Sequence, residues 1–154
     1  MSAGPLVASG IGILLLVTTA YVLVGGTLAT TEVMVEAQNN LAIHQETRMR
    51  TAIEIQTTTI NGQTLYVEVK NTGSEPIFDI PSIDVYLQSG GVPVYTPYEN
   101  GTTHWKRGSI TPDEIHPGGL DPHETLTLAI VCGDASPTWV QIVTPNGVSS
   151  SAYL

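Results

Sequence analysis

Cysteine is almost missing from this 154-residue chain. Cys132 stands alone, which excludes an intrachain disulfide framework and a cysteine-based zinc site. Basic residues are nearly as scarce. Five Lys and Arg against fourteen Asp and Glu leave a net charge of −9, a balance that repels polyanions and excludes nucleic acid as a natural partner. The first 28 residues carry no charged side chain, and no Lys or Arg precedes Arg48. A secretory signal opens on positive charge, carries an apolar run of about 7 to 15 residues and ends at a small-residue cleavage site. That pattern is absent here. Catalytic motifs are absent as well: there is no G-x-S-x-G elbow, no phosphate-cradling glycine loop and no Cys/His pair in the context of a nucleophile. No enzyme and no cofactor are inferred.

The longest feature present is apolar. Leu6, Val7, Ile11, Ile13, Leu14, Leu15, Leu16, Val17, Tyr21, Val22, Leu23 and Val24 follow one another with only Ser9, Thr18 and Thr19 as polar interruptions. A helix needs roughly 20 such residues to cross a hydrocarbon core of about 30 Å. Residues 1–28 are therefore expected to be a retained transmembrane anchor. Near the helix ends, only the α-amino group is positive on one side, while Glu32 and Glu36 lie on the other. This bias favours the N-terminus inside and the C-terminal domain outside, as a single-pass protein.

Residues 29–50 change character. From Thr31 to Met49 there is neither Pro nor Gly, and Met34, Ala37, Leu41 and His44 recur at the spacing of one helical face. A helical stalk is predicted, weakened at Asn39 and Asn40. A second row, Leu28, Val35, Ala42 and Met49, is spaced by sevens and suits pairing with another helix. Packing of a short linker helix on its own domain is the alternative.

At Thr51 the period drops to two. Ile53 and Ile55, then Leu65, Val67 and Val69, then Ile83, Val85 and Leu87 alternate with polar residues, as half-buried strands do. Asn61-Gly62 marks a hairpin turn between the first two runs, and Asn71-Thr72-Gly73 ends the second. Further runs lie at Val92–Tyr95, Leu126–Val131 and Trp139–Val143. About seven short strands with turn signals between them predict a mainly β protein. The expected architecture is an immunoglobulin-like antiparallel β-sandwich over residues 51–154, preceded by one long N-terminal α-helix, with strand order left open.

Three features bear on function. In Trp139-Val-Gln-Ile-Val143, Val140 and Ile142 suit the core, which puts Trp139 and Val143 on the opposite face. They are either a partner surface or residues covered by a loop or the stalk. The acidic segment with Asp113, Glu114, His116, Asp121, His123 and Glu124 lacks both paired helical histidines and the EF-hand pattern, so it reads as a solvated loop and no metal is expected. Asn100-Gly101-Thr102 is an N-glycosylation acceptor if the domain is exported. Exposed sheet edges also permit pairing of two copies as a homodimer.

An uncharged leader running into an anchor helix, an amphipathic continuation reaching RTAIEI, and then TLYVEVKNTGSEPI, LDPHETLTLAI and VQIVTPNGV carry a family resemblance. Together they resemble the archaeal flagellar (archaellum) accessory proteins, the F type most closely and the G type next. The resemblance covers essentially the whole chain. It implies a structural stator component: a membrane-held protein whose external immunoglobulin-like sandwich binds the surface-layer protein. A G-type stator protein that forms short filaments is the implied partner. Together they fix the motor in the envelope of an archaeal cell. The alternatives are the filament-forming G type itself or an archaellin or type IV pilin-like filament subunit, although the basic leader of those subunits is missing here.

Overall fold

The computed structural model describes residues 3–133 and 136–154 and divides into two compact units, Met1–Ile43 and His44–Leu154. One helix, α1 (Gly4–Arg50, 47 residues), begins in the first unit and ends in the second. Pro5 falls in its first turn, where a missing N–H costs nothing, and Arg48 and Arg50 sit in its last turn, where positive charge suits the helix dipole. Asn39 and Asn40 do not interrupt it.

In the first unit the helix exposes its apolar residues, with Leu6 at 78% and Leu16 at 71%. It is long and apolar enough to cross a membrane. Its hydroxyls are quenched internally: Ser9 donates to the Leu6 carbonyl at 2.9 Å, Thr18 to Leu14 at 2.9 Å, Thr19 to Leu15 at 2.8 Å and Thr27 to Leu23 at 3.0 Å. These serine and threonine side chains are thereby compatible with a medium that offers no water. Met1 and Ser2, at the start of the expected anchor, lie outside the described residues, as does the side chain of Leu28 from the row spaced by sevens.

The second unit is the β-sandwich. Its strands are β1 (Ile53–Asn61), β2 (Thr64–Asn71), β3 (Asp84–Gln88), β4 (Val94–Thr96), β5 (His104–Thr111), β6 (Thr125–Val131), β7 (Trp139–Val143) and β8 (Ser149–Tyr153). They form two antiparallel sheets of four, ordered β1-β2-β6-β5 and β4-β3-β7-β8. In immunoglobulin terms these are the A-B-E-D sheet and the C-F-G sheet with one strand added beside C. Asn61 pairs with Thr64, so the tight hairpin turn is Gly62-Gln63, one residue later than the Asn-Gly pair suggests, and Gly62 supplies the positive φ of 61°.

The two inner faces share one core. Leu65 and Val67 of β2 and Leu126, Leu128 and Ile130 of β6 meet Val85 of β3 and Val140 and Ile142 of β7, all fully buried. Each such side chain stabilises the fold by roughly 1.5–3 kcal/mol. β5 and β8 were not among the expected strands. HWKRGSIT hides its two inward residues, Trp105 and Ile110, behind charge and a bulge between Arg107 and Ile110, while SSSAY is almost wholly polar.

The last helical turn is tied to the sandwich by a polar clasp. Asn146, in the β7–β8 turn, donates from Nδ2 to Thr51 Oγ1 at 2.6 Å, and the Thr51 hydroxyl donates to the Thr47 carbonyl at 2.8 Å. Arg48 reaches the Gly147 carbonyl at 3.5 Å, and Ser74 N–H donates to the Arg50 carbonyl at 2.8 Å. The NTG triplet serves the same junction. Asn71 is fully buried, donating to the carbonyls of Glu75 (2.9 Å) and Leu120 (3.0 Å) and accepting from Gly73 N–H (3.0 Å). Gly73 has to be glycine, because a β-carbon there would collide with the Arg50 carbonyl oxygen and the Ala52 nitrogen.

Candidate functional site

The outer face of the β4-β3-β7-β8 sheet is built by strand alternation and cross-strand register. With Val85, Leu87, Val140 and Ile142 turned inward, the residues between them must turn outward. Pairing then sets them in rows. Tyr95, Tyr86, Gln141 and Ser151 make one row; Gln88, Trp139 and Tyr153 make the next; Asp84, Val143 and Ser149 make a third. Tyr86 and Tyr95 meet edge to face with ring centroids 5.7 Å apart, an arrangement that suits two aromatic quadrupoles. Tyr95 is 51% exposed and Tyr153 85%, while Tyr86, Trp139 and Val143 are half-buried.

Asp84 is the single charged residue in these rows. Clustered tyrosine and tryptophan rings, with charge confined to Asp84 in the outermost row, share the aromatic enrichment and charge depletion of a protein interface centre. Such a surface offers large apolar contact area together with neutral hydrogen-bond donors and acceptors.

The acidic segment between β5 and β6 uses its carboxylates internally. Asp121 is buried and accepts from His116 N–H at 2.9 Å and from the His116 ring at Nδ1, 2.8 Å away. Glu124 accepts from the Asp121 N–H (3.0 Å) and the Glu114 N–H (3.3 Å), and Asp113 from the Gly118 N–H (2.9 Å). The His116 hydrogen bond holds the Asp121 carboxyl below its ordinary range, against the opposing effect of burial. His116 also stands edge-on to Phe78, with ring centroids 5.3 Å apart. Among the described residues, no group of three His, Cys, Asp or Glu side chains is arranged to hold a metal ion. Cys132 is buried, and that burial pushes its thiol up and away from the reactive thiolate.

No family model matches the chain. An uncharacterized protein of Archaeoglobus fulgidus is 30% identical over 157 residues, spanning 99% of this chain and 95% of the relative. The chain belongs to that protein's family. Two solved structures have a similar fold. One is the archaellum periplasmic stator protein FlaG from Sulfolobus acidocaldarius, with a TM-score of 0.56 and 23% identity over 68% of this chain and 99% of that one. The other is the archaellum periplasmic stator protein complex FlaF and FlaG from the same organism, with a TM-score of 0.54 and 24% identity over 66% and 87%. The expected fold, one long helix followed by an antiparallel sandwich, is the one observed.

In this family member the residues singled out by sequence fall in three separate places. Those from Leu6 to Val24 lie on the exposed part of α1 in the first unit. Trp139 and Val143 share the outer face of β7, two rows apart. Asn100 is exposed in the loop between β4 and β5. Sequence reasoning missed Tyr86, Tyr95 and Tyr153 as companions of Trp139. The alternation of Ser150 and Ala152 against Tyr153 was a signal for the last of them; the other two needed the strand pairing.

Proposed function

We propose that the protein is a stator component of the archaellum. On this reading α1 crosses the cytoplasmic membrane once, through the stretch from Leu6 to Val24. The sandwich stands outside the cell, and its aromatic face around Trp139, Tyr153 and Val143 binds the surface-layer protein, giving the motor a fixed point in the envelope. The observation that carries the reading is the likeness to a periplasmic stator protein along 99% of that protein's chain. The exposed apolar helix supports the anchor, because so much apolar surface is costly to leave in water. The closing IVTPNGV and the uncharged leader favour the F type, and the solved complex of FlaF with FlaG supports a G-type protein as a second partner. The function needs no catalysis.

The test is capture of surface-layer protein by the detergent-solubilised full-length chain, together with protease treatment of intact cells. Capture is expected, with the domain cut from outside. Failure to bind intact surface-layer protein removes the partner, and a protected domain removes the topology. A second reading, the filament-forming G type, is favoured by the likeness to FlaG itself. Filaments of the purified chain in negative stain would favour a filament-forming protein, the G type or a pilin-like subunit, over the F type.

A further inference from the structure

A loop joins β4 to β5, the two edge strands on that side of the sandwich. Among the described residues β4 pairs only with β3, whereas β5 pairs with β6 and its outer edge is partly covered by a bridge between Trp105 and Tyr98. The β5 edge is guarded by Lys106, Arg107 and a bulge. The β4 edge is different: Val94 and Tyr95 are exposed, Val92 just before the strand is 81% exposed, and VYT carries no charge. Unguarded apolar edges recruit other strands. At the base of the loop, the backbone N–H of Trp105 on β5 donates to the Pro97 carbonyl (3.0 Å) and the Glu99 N–H to the Trp105 carbonyl (2.8 Å), so the segment from Asn100 to Thr102 is held outward on a narrow neck. Asn100, Gly101 and Thr102 are all exposed, and Gly101 turns the chain with a φ of 87°. Among the described residues, the Asn100 carboxamide makes no hydrogen bond, and Thr102 follows at the spacing that an acceptor sequon requires.

We propose that Asn100 carries an N-linked glycan that shields the β4 edge. The donor is a lipid-linked oligosaccharide acted on by a membrane oligosaccharyltransferase. A bond forms between Asn100 Nδ2 and the anomeric carbon of the first sugar, the bond from that carbon to the lipid phosphate oxygen breaks, and the lipid phosphate leaves as one amide proton is lost. The proposal rests on the outward topology of the preceding section, so its test reads topology separately.

The full-length chain and its Thr102→Ala variant, which keeps Asn100 but loses the sequon, are produced in an archaeal host competent for N-glycosylation. Peptides spanning Asn100 are weighed, and intact cells are treated with protease. A glycan mass on Asn100 in the wild type and its loss in T102A are expected, with the domain cut from outside in both. An exterior domain with an unmodified Asn100 overturns the glycan alone; an interior domain overturns the topology and the glycan together. Sedimentation of the detergent-solubilised proteins tests the shielding. T102A is expected to shift from monomer to self-associated species and to return to monomer when Val94→Lys is added; a T102A protein that stays monomeric overturns the shield.

Discussion

Across the β1-β2-β6-β5 sheet the outward rows read Glu54, Lys70 and Thr125, and Thr59, Tyr66, Ala129 and Lys106. Across the other sheet they read Gln88, Trp139 and Tyr153, and Tyr95, Tyr86, Gln141 and Ser151. Both faces stand on the same pleat and back onto the same core, so folding does not require them to differ. The first spends its positions on charge and threonine, including a 2.6 Å hydrogen bond from Thr57 to Glu68, as a solvated surface does. The second gathers three of the chain's six tyrosines and one of its two tryptophans, with a single carboxylate among them. Residues that the fold leaves free and that nonetheless share one chemistry report on what the surface meets.

The largest effect should erase the contrast altogether. Leu128 is fully buried where both sheets meet, and Leu128→Ala should cost about 2–5 kcal/mol in denaturant unfolding, with both faces lost in one transition. Next, Trp139→Ala should weaken partner binding by about 2 kcal/mol, roughly 30-fold, while leaving the unfolding midpoint nearly unchanged. Undiminished binding would remove this face from the proposal.

Acid offers a perturbation through a buried carboxylate, Asp121, that belongs to neither face. Asp121 is held below its ordinary pKa in the folded state. Its contribution is therefore complete above about pH 4, where the unfolded carboxylate is ionised, and is lost as pH falls through the lower folded value. Stability measured by thermal unfolding should decline across that acid window, and less so in His116→Ala. An identical decline in the variant would show that other groups carry it. The smallest effect is expected from Tyr66→Ala or Lys106→Glu on the charged sheet. Either should stay within about 0.5 kcal/mol in stability and leave partner binding as it was.

Much of the fold was legible because burial on one side of a strand imposes strict alternation. Leu65, Val67 and Val69, or Leu126, Leu128 and Ile130, admit no other reading. β5 escaped because its bulge breaks the period between Arg107 and Ile110, and because Trp105 sits beside Lys106 and Arg107. β8 escaped because Ser150 and Ala152 are small enough to pass for loop residues. Of the candidate face, alternation within β7 gave Trp139 and Val143. Their neighbours depend on pairing between strands distant in sequence, which local pattern does not encode. The NTG triplet read only as a turn and PNG only as part of a family motif; the hydrogen bonds of Thr72 and Gly73 to the Ala52 carbonyl, and of Asn146 to Thr51, became visible once the chain was folded.

That helix end has a mechanical meaning. The bond from Asn146 to Thr51 joins residues 95 positions apart in the chain, and Arg48 to Gly147 joins residues 99 apart. A load on the final turn of α1 therefore falls on several short polar links in parallel, with no flexible tether to take up slack. Because the backbone itself runs on through Thr51 into β1, these links act as braces beside a continuous covalent strut and stiffen the joint against bending.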